Sequence, residues 1–183
     1  MDIDCFINSG CLCPDIEILK MKIMKKICLH IIIEVEELMR ELYQRTSYVA
    51  VSLSPDESGV EGWSDRWILS DDERLWARDR MQEAYDRING VVSAYLSETC
   101  EPLVGDDTFG FVLILPKEMS PGSDGVVKRM IREAFISYVL FHWYMERLPD
   151  KASYQMLQFE DNLNLLRARL NRRTVPIRRP VRP

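Results

Sequence analysis

Residues 126–173 read VVKRMIREAFISYVLFHWYMERLPDKASYQMLQFEDNLNLLRARLNRR. Two helical patterns meet in this stretch, at Pro149. In the first, Val127, Met130, Ile131, Ala134, Phe135, Tyr138, Val139, Phe141, His142 and Met145 recur at helical spacing. Near the centre they cover most of the circumference. A helix apolar nearly all round is central in its fold or buried between subunits. It is expected from about Val126 to Leu148. In the second, Met156, Phe159, Leu163, Leu166 and Leu170 step by three and four residues, the narrow seam of helix hairpins and coiled coils. That helix is expected over roughly 150–172. The break LPDKAS (148–153) is tight: Pro149 cannot continue a helix, and Pro149 or Asp150 suits the start of the next. Two helices joined so closely pack antiparallel. The fold class follows: mainly α, a helical bundle with a C-terminal antiparallel helix hairpin, a short β element and an extended basic tail.

The β element is FGFVLILP (109–116), an apolar run of strand length between Asp106-Asp107 and Pro116. A turn, CEPLVGDDT (100–108), precedes it, and a loop, KEMSPGSDG (117–125), follows, with Asp124 placed to cap the next helix. Further upstream, Ser70-Asp71-Asp72-Glu73 is a capping box. It opens a helix to about Glu98 with the stripe Ala77, Met81, Ala84, Tyr85, Ile88, Val91, Val92, Tyr95. Gly90 weakens the middle of that helix without breaking its pattern. Residues 52–73 carry turn formers throughout and are expected as a loop. Trp63 and Trp67 inside it need cover, from the fold or from a partner. EVEELMRELYQRT (34–46) has a helical stripe of Val35, Leu38, Met39, Leu42 and Tyr43. KIMKKICLHIII (22–33) fits either a strand or the start of a helix.

Three regions result: residues 1–21, an N-terminal extension expected to be mobile; 22–172, one mainly helical domain; and 173–183, an extended Arg/Pro tail. Residues 1–20 have no clear period and fit a mobile end or an upstream start. At 183 residues one domain can bury roughly 70% of the surface of its unfolded chain, so folding requires neither metal nor disulfide. The apolar fraction of 46% and charged fraction of 29% suit a globular protein. The most apolar run, residues 134–145, is too short for a membrane span, and no signal peptide is recognised.

The chain closes on RRTVPIRRPVRP (172–183). From Arg167 to the end there are seven arginines and no acid, so residues 1–166 carry −12 where the whole chain carries −5. Such a body repels nucleic acid, while the tail attracts either phosphate or the acidic body of another subunit. Val175, Arg179 and Arg182 precede prolines and are pushed to extended conformations. The result is a polyproline-like arm of up to ~30 Å. Its arginines can fork onto carboxylate or phosphate. The interleaved Val175, Ile177 and Val181 suit a groove better than a frayed end. Arg172, Arg173, Arg178, Arg179, Arg182, Pro176 and Ile177 are the candidate partner-docking residues. Trp63, Trp67 and Trp143 are the candidate exposed or interface aromatics.

No phosphate-binding, dinucleotide-binding, zinc-protease, nucleophile-elbow or EF-hand motif is present. His30 sits among isoleucines and His142 among aromatics, where packing is the expected role. Acidic pairs are accounted for by a helix cap (Asp71-Asp72), a turn (Asp106-Asp107) and a solvated helix face (Glu160-Asp161). The five cysteines include no zinc-spaced cluster and are expected as free thiols. The chain is therefore expected not to be an enzyme and to use no cofactor or metal.

In order along the chain, MKI (21–23), III (31–33) and EVEEL (34–38), LSDDERLWARDRMQEAYDRI (69–88), FGFVLILP, the hairpin and PIRRPVRP (176–183) resemble the small head–tail connector, or neck, proteins of tailed phages and prophages. The likeness covers roughly 160 residues and is one of pattern. It implies a virion structural protein that forms a homo-oligomeric ring on the portal. Such a protein meets portal or tail proteins, links capsid to tail and helps retain DNA, which the tail could contact. It has no membrane partner, and its place is the bacterial cytoplasm during assembly and then the virion. The alternative class is a small nucleic-acid-binding module that uses the Arg-rich tail.

Overall fold

The computed structural model describes residues 26–53, 67–97, 105, 107–116 and 123–171. Among these the chain is mainly helical, with four helices and one antiparallel pair of strands. The N-terminal extension, Trp63 and the tail lie outside the described residues.

Strand β1 spans Lys26–Glu34 and pairs antiparallel with β2, Thr108–Pro116. Of residues 22–33, which fit either a strand or the start of a helix, the described part, from Lys26, is strand. Period-two alternation decides its register: Ile31 and Ile33 are buried, while His30 and Ile32 face outward. Ile33 lies opposite Phe109, and Ile31 opposite Phe111, so one face of the ribbon is a continuous apolar layer. The amide of Val35 donates to the Asp107 carbonyl at 2.9 Å, tying the ribbon's end to the first turn of helix α1, Val35–Ser52.

Helix α1 runs past Thr46, beyond the expected end. The reason is Thr46 itself, fully buried on the apolar stripe. Its hydroxyl donates to the Leu42 carbonyl at 2.9 Å and accepts from the Leu69 amide at 3.1 Å. A polar residue satisfied in this way holds a core position, and Val49 and Ala50 continue the stripe.

The capping box at Ser70 is present: the Ser70 amide donates to the Glu73 carboxylate at 2.9 Å, and the Ser70 hydroxyl also donates to it. A single 3-10 turn over Asp71–Glu73 leads into helix α2, Arg74–Val92. Its buried face is Ala77, Met81, Ala84, Tyr85, Ile88 and Val92. The Tyr85 hydroxyl donates to the Gly110 carbonyl at 3.0 Å and fixes α2 on the ribbon. Leu96 then makes an isolated bridge with Leu113 on the far side of β2.

Helix α3 (Ser123–Tyr144) and helix α4 (Pro149–Asn171) form the antiparallel C-terminal hairpin. α3 begins three residues before its expected start and ends four before its expected end. Residues 145–148 make the turn, where the amides of Arg147 and Leu148 donate to the Tyr144 carbonyl. α3 is the central helix: Ala134 through Leu140 are all buried, against α4, α2, α1 and the ribbon. Phe135 packs on Phe109 and Phe111, and Tyr138 on Phe159 of α4. Of the two places open to so apolar a helix, α3 takes the first, the centre of its own fold. It leaves no broad apolar face for a subunit contact.

Candidate functional site

Three helices leave a cleft of about 510 Å³ where α1 ends and the α3–α4 turn begins. α1 contributes Arg45, Tyr48 and Val49, α3 contributes Leu140 and Tyr144, and α4 contributes Asp150, Lys151, Tyr154 and Gln155. Tyr48 and Tyr154 stand well into solvent, 67% and 58% exposed, and Val51 continues the apolar surface along α1. Tyr144 is the opposite case. It is 1% exposed, and its hydroxyl has no hydrogen-bond partner among the described residues. Burial pushes its phenol up to about 12. A buried hydroxyl without a partner is unusual, because losing water without replacement costs free energy.

The wall of the cleft at Arg45 is held by an ion network between α1 and α3. Arg45 reaches Glu41 at 2.6 Å and Glu133 at 2.8 Å, and Arg132 reaches Glu37 at 3.1 Å and also Glu41. Burial alone would raise the Glu41 carboxyl, but Arg45 and Arg132 outweigh it and hold that carboxyl below the usual carboxylate range. Burial likewise works against the Arg45 charge, and Glu41 and Glu133 overcome it.

A second polar cluster lies between α2 and α3. The Tyr138 hydroxyl donates to Glu83 at 3.1 Å, Arg80 pairs with Glu83 at 2.8 Å, and His142 Nε2 stands 4.0 Å from the same carboxylate. Arg87 sits over the Tyr138 ring at 5.0 Å. Burial, then Arg80, push the His142 imidazole below its ordinary value, against the pull of Glu83. A neutral imidazole wedged against Tyr138 and Phe141 fits the packing role expected of it. A second cleft, of about 480 Å³, lies between α1 and the start of α2, lined by Glu36, Arg40, Tyr43 and Asp71 among others.

The residues nominated from sequence fall in three places. The tail residues Arg172, Arg173, Pro176, Ile177, Arg178, Arg179 and Arg182, together with Trp63, lie outside the described residues. Trp67 is half-buried, and its carbonyl accepts the Trp143 indole N–H at 3.0 Å. Trp143, a candidate exposed or interface aromatic, is buried in the core of this chain. It is 4% exposed, with Trp76 packed edge-on at 5.5 Å and the Arg147 guanidinium 4.0 Å over its ring.

Sequence reasoning missed Tyr48, Tyr144 and Tyr154. The signal for Tyr154 was its place off the Met156–Leu170 seam. Tyr48 fell beyond the expected end of its helix. Among the described residues no group of His, Cys, Asp or Glu side chains could hold a metal ion, and no helix is long and apolar enough to cross a membrane. Comparison with protein-family models, with curated proteins and with solved structures gives no match.

Proposed function

We propose that this chain is a structural assembly protein, of the head–tail connector kind, that works by docking to other protein chains rather than by catalysis. The observation that carries this reading is the distribution of uncovered apolar side chains. Tyr43, Tyr48 and Val51 on α1, and Tyr154, Leu157 and Leu165 on α4, are each more than half exposed. They belong to two of the three helices that pack on α3; on the third, α2, Leu75 is exposed as well. Exposed apolar side chains gathered on particular elements mark interaction surfaces more than scattered ones do. An acidic body of −12 beside a tail without acids adds charge complementarity between copies.

Ring subunits use two different patches on one molecule, and closure comes from rotation rather than from a self-complementary face. The partly uncovered faces of α1 and α4 offer two such patches. The nucleic-acid reading rests on the tail arginines alone, and the charge of the body opposes it.

The test joins two measurements. Light scattering on the full chain is expected to give a mass above the monomer that rises with concentration, or a monomer that assembles on a portal ring. Genes for a portal, a terminase or tail proteins are expected beside its own. A chain that stays monomeric at every concentration, is not retained by portal rings and has none of these neighbours ends the reading.

A further inference from the structure

We propose that the free edge of β1 pairs antiparallel with the same strand of a second copy of this chain, joining two ribbons into one continuous sheet across a two-fold axis at His30. The contact uses neither α1 nor α4, so it goes beyond the assembly reading and can fail apart from it.

The direction of the backbone groups comes first. In an antiparallel pair, successive residues turn their N–H and C=O groups alternately towards the partner strand and away from it. Two bonds fix which residues of β1 do which. The Val35 amide meets the Asp107 carbonyl at 2.9 Å, so the odd-numbered residues of β1 bond to β2. The Val112 carbonyl accepts from the Ser97 amide at 2.9 Å on the other side of β2, so Val112 and His30 opposite it do not bond each other. Cys28, His30 and Ile32 therefore aim their amides and carbonyls at the edge away from β2. Among the described residues no backbone group and no further strand meets them there.

Proteins guard such an edge with charges, proline, bulges or short strands. β1 is nine residues long, KICLHIIIE, with Lys26 and Glu34 at its ends as its only Lys, Arg, Asp or Glu, and with no proline. Its register with β2 runs without a bulge. The side chains of Cys28, His30 and Ile32 are exposed on the outward face, Ile32 at 45%. An edge of this kind takes up an extended strand through its backbone groups, and the side chains select which strand.

The strand that matches is β1 itself. Full antiparallel overlap sets His30 against His30 of the second copy, Cys28 against Ile32, and Lys26 against Glu34. The even-numbered residues stay in step, so the free amides of each copy meet the free carbonyls of the other. Opposite charges face each other at both ends of the overlap, and directly opposed charge pairs stabilise a sheet. A shift of two residues either way breaks both charge pairs, and parallel pairing brings like charges together. The contact is isologous, each residue giving what its counterpart takes. The chain's own N-terminal side suits this edge less well. To cover it, the chain must reverse just before Lys26, and residues 16–25, IEILKMKIMK, contain no glycine, proline, asparagine or aspartate to turn it.

The test is sedimentation and light scattering on the full chain and its variants. The wild-type chain is expected to show a two-copy step that grows with concentration. His30→Pro removes an amide that no bond within the fold uses, so circular dichroism should be unchanged while association weakens about tenfold or more. Lys26→Glu sets like charges at both ends and should weaken association about tenfold, and adding Glu34→Lys should restore it. An Ile32→Cys chain, mildly oxidised, should cross-link Cys28 of one copy to the introduced thiol of the other, since bonded opposite residues lie about 5.5 Å apart at Cα. That link, mapped by mass spectrometry, should vanish on adding Cys28→Ser.

A chain monomeric at every concentration overturns the inference. Edge amides of Cys28, His30 and Ile32 protected from hydrogen exchange in that monomer would place its own N-terminal side on the edge, and protection gained only on portal rings would assign the edge to another protein. Association indifferent to His30→Pro, a double charge reversal that does not restore it, or a Cys28–Cys28 link in the wild-type chain overturns it as well. If His30→Pro disturbs the circular dichroism, the charge reversal and the cross-link decide. Self-association that persists in His30→Pro without the Cys28 cross-link overturns the edge pairing and leaves the assembly reading intact. The cross-link in a chain that portal rings do not retain upholds the pairing without that reading.

Discussion

Helices α3 and α4 are nearly equal in length, 22 and 23 residues, and pack side by side, yet they stand in opposite relations to solvent. α3 buries seven consecutive residues, Ala134 through Leu140. α4 buries a single seam and leaves Tyr154, Leu157 and Leu165 outside. The helix that looks most adhesive in sequence is therefore the one with nothing left to offer. Apolar content by itself does not locate an interface, because what counts is the portion that the chain's own neighbours fail to cover.

The contrast can be broken most directly at Phe135, which touches Phe109 and Phe111 of the ribbon. Phe135→Ala is expected to destabilise the chain by about 3–5 kcal/mol in urea unfolding. Leu165→Ala should change stability by no more than about 0.5 kcal/mol. Comparable losses at both positions would mean that α4's outer face is packed after all.

Thr46 sharpens the same comparison at a polar atom. Replacing it with valine keeps the shape but leaves the Leu69 amide without its acceptor. A loss of about 1–3 kcal/mol is expected. A neutral result would show that water reaches that amide.

The ion network between α1 and α3 gives a pH signature. The Glu41 carboxyl lies below its ordinary 4.5 in the folded chain. Its contribution is therefore complete above 4.5 and is lost as pH falls through the lower folded value, because the unfolded chain there binds the proton more readily. The expected loss is about 1 kcal/mol or less, since these side chains remain partly in water. Glu41→Gln should flatten the acid limb of the stability curve, and an unchanged limb would locate acid sensitivity elsewhere.

The smallest effect has the opposite sign. Gly90 lies within α2, and a methyl group built on it meets no atom within 4 Å. Gly90→Ala should stabilise by about 0.5–1 kcal/mol. A higher melting temperature with unchanged mass by light scattering is the expected outcome.

The hairpin and the capping box were legible in sequence because each depends on residues near one another along the chain. Phe159, Leu166 and Leu170 declare their seam by spacing alone. β1 was legible only by half. Isoleucines occupy both of its faces, so the alternation of buried Ile31 and Ile33 with exposed Ile32 emerges once Phe109 and Phe111 lie opposite. The length of α1 was hidden by Thr46, a hydroxyl in a core position whose partner lies 23 residues away. The tyrosine cleft was not legible, because its character depends on three helices converging on one hydroxyl. Trp143 misled for a related reason: its polar edge is satisfied by a carbonyl 76 residues distant.

The packing of Trp76 against Trp143 has an optical consequence. The two indoles belong to α2 and α3, with centroids 5.5 Å apart and planes inclined at 61°. Transitions so close and so skewed couple, and coupled chromophores of fixed handedness give a bisignate circular-dichroism band that either ring alone cannot produce. That band follows the docking of one helix on another rather than the helices themselves. It should vanish in any state that keeps its secondary structure while its core loosens, so the protein carries its own unlabelled reporter of tertiary order.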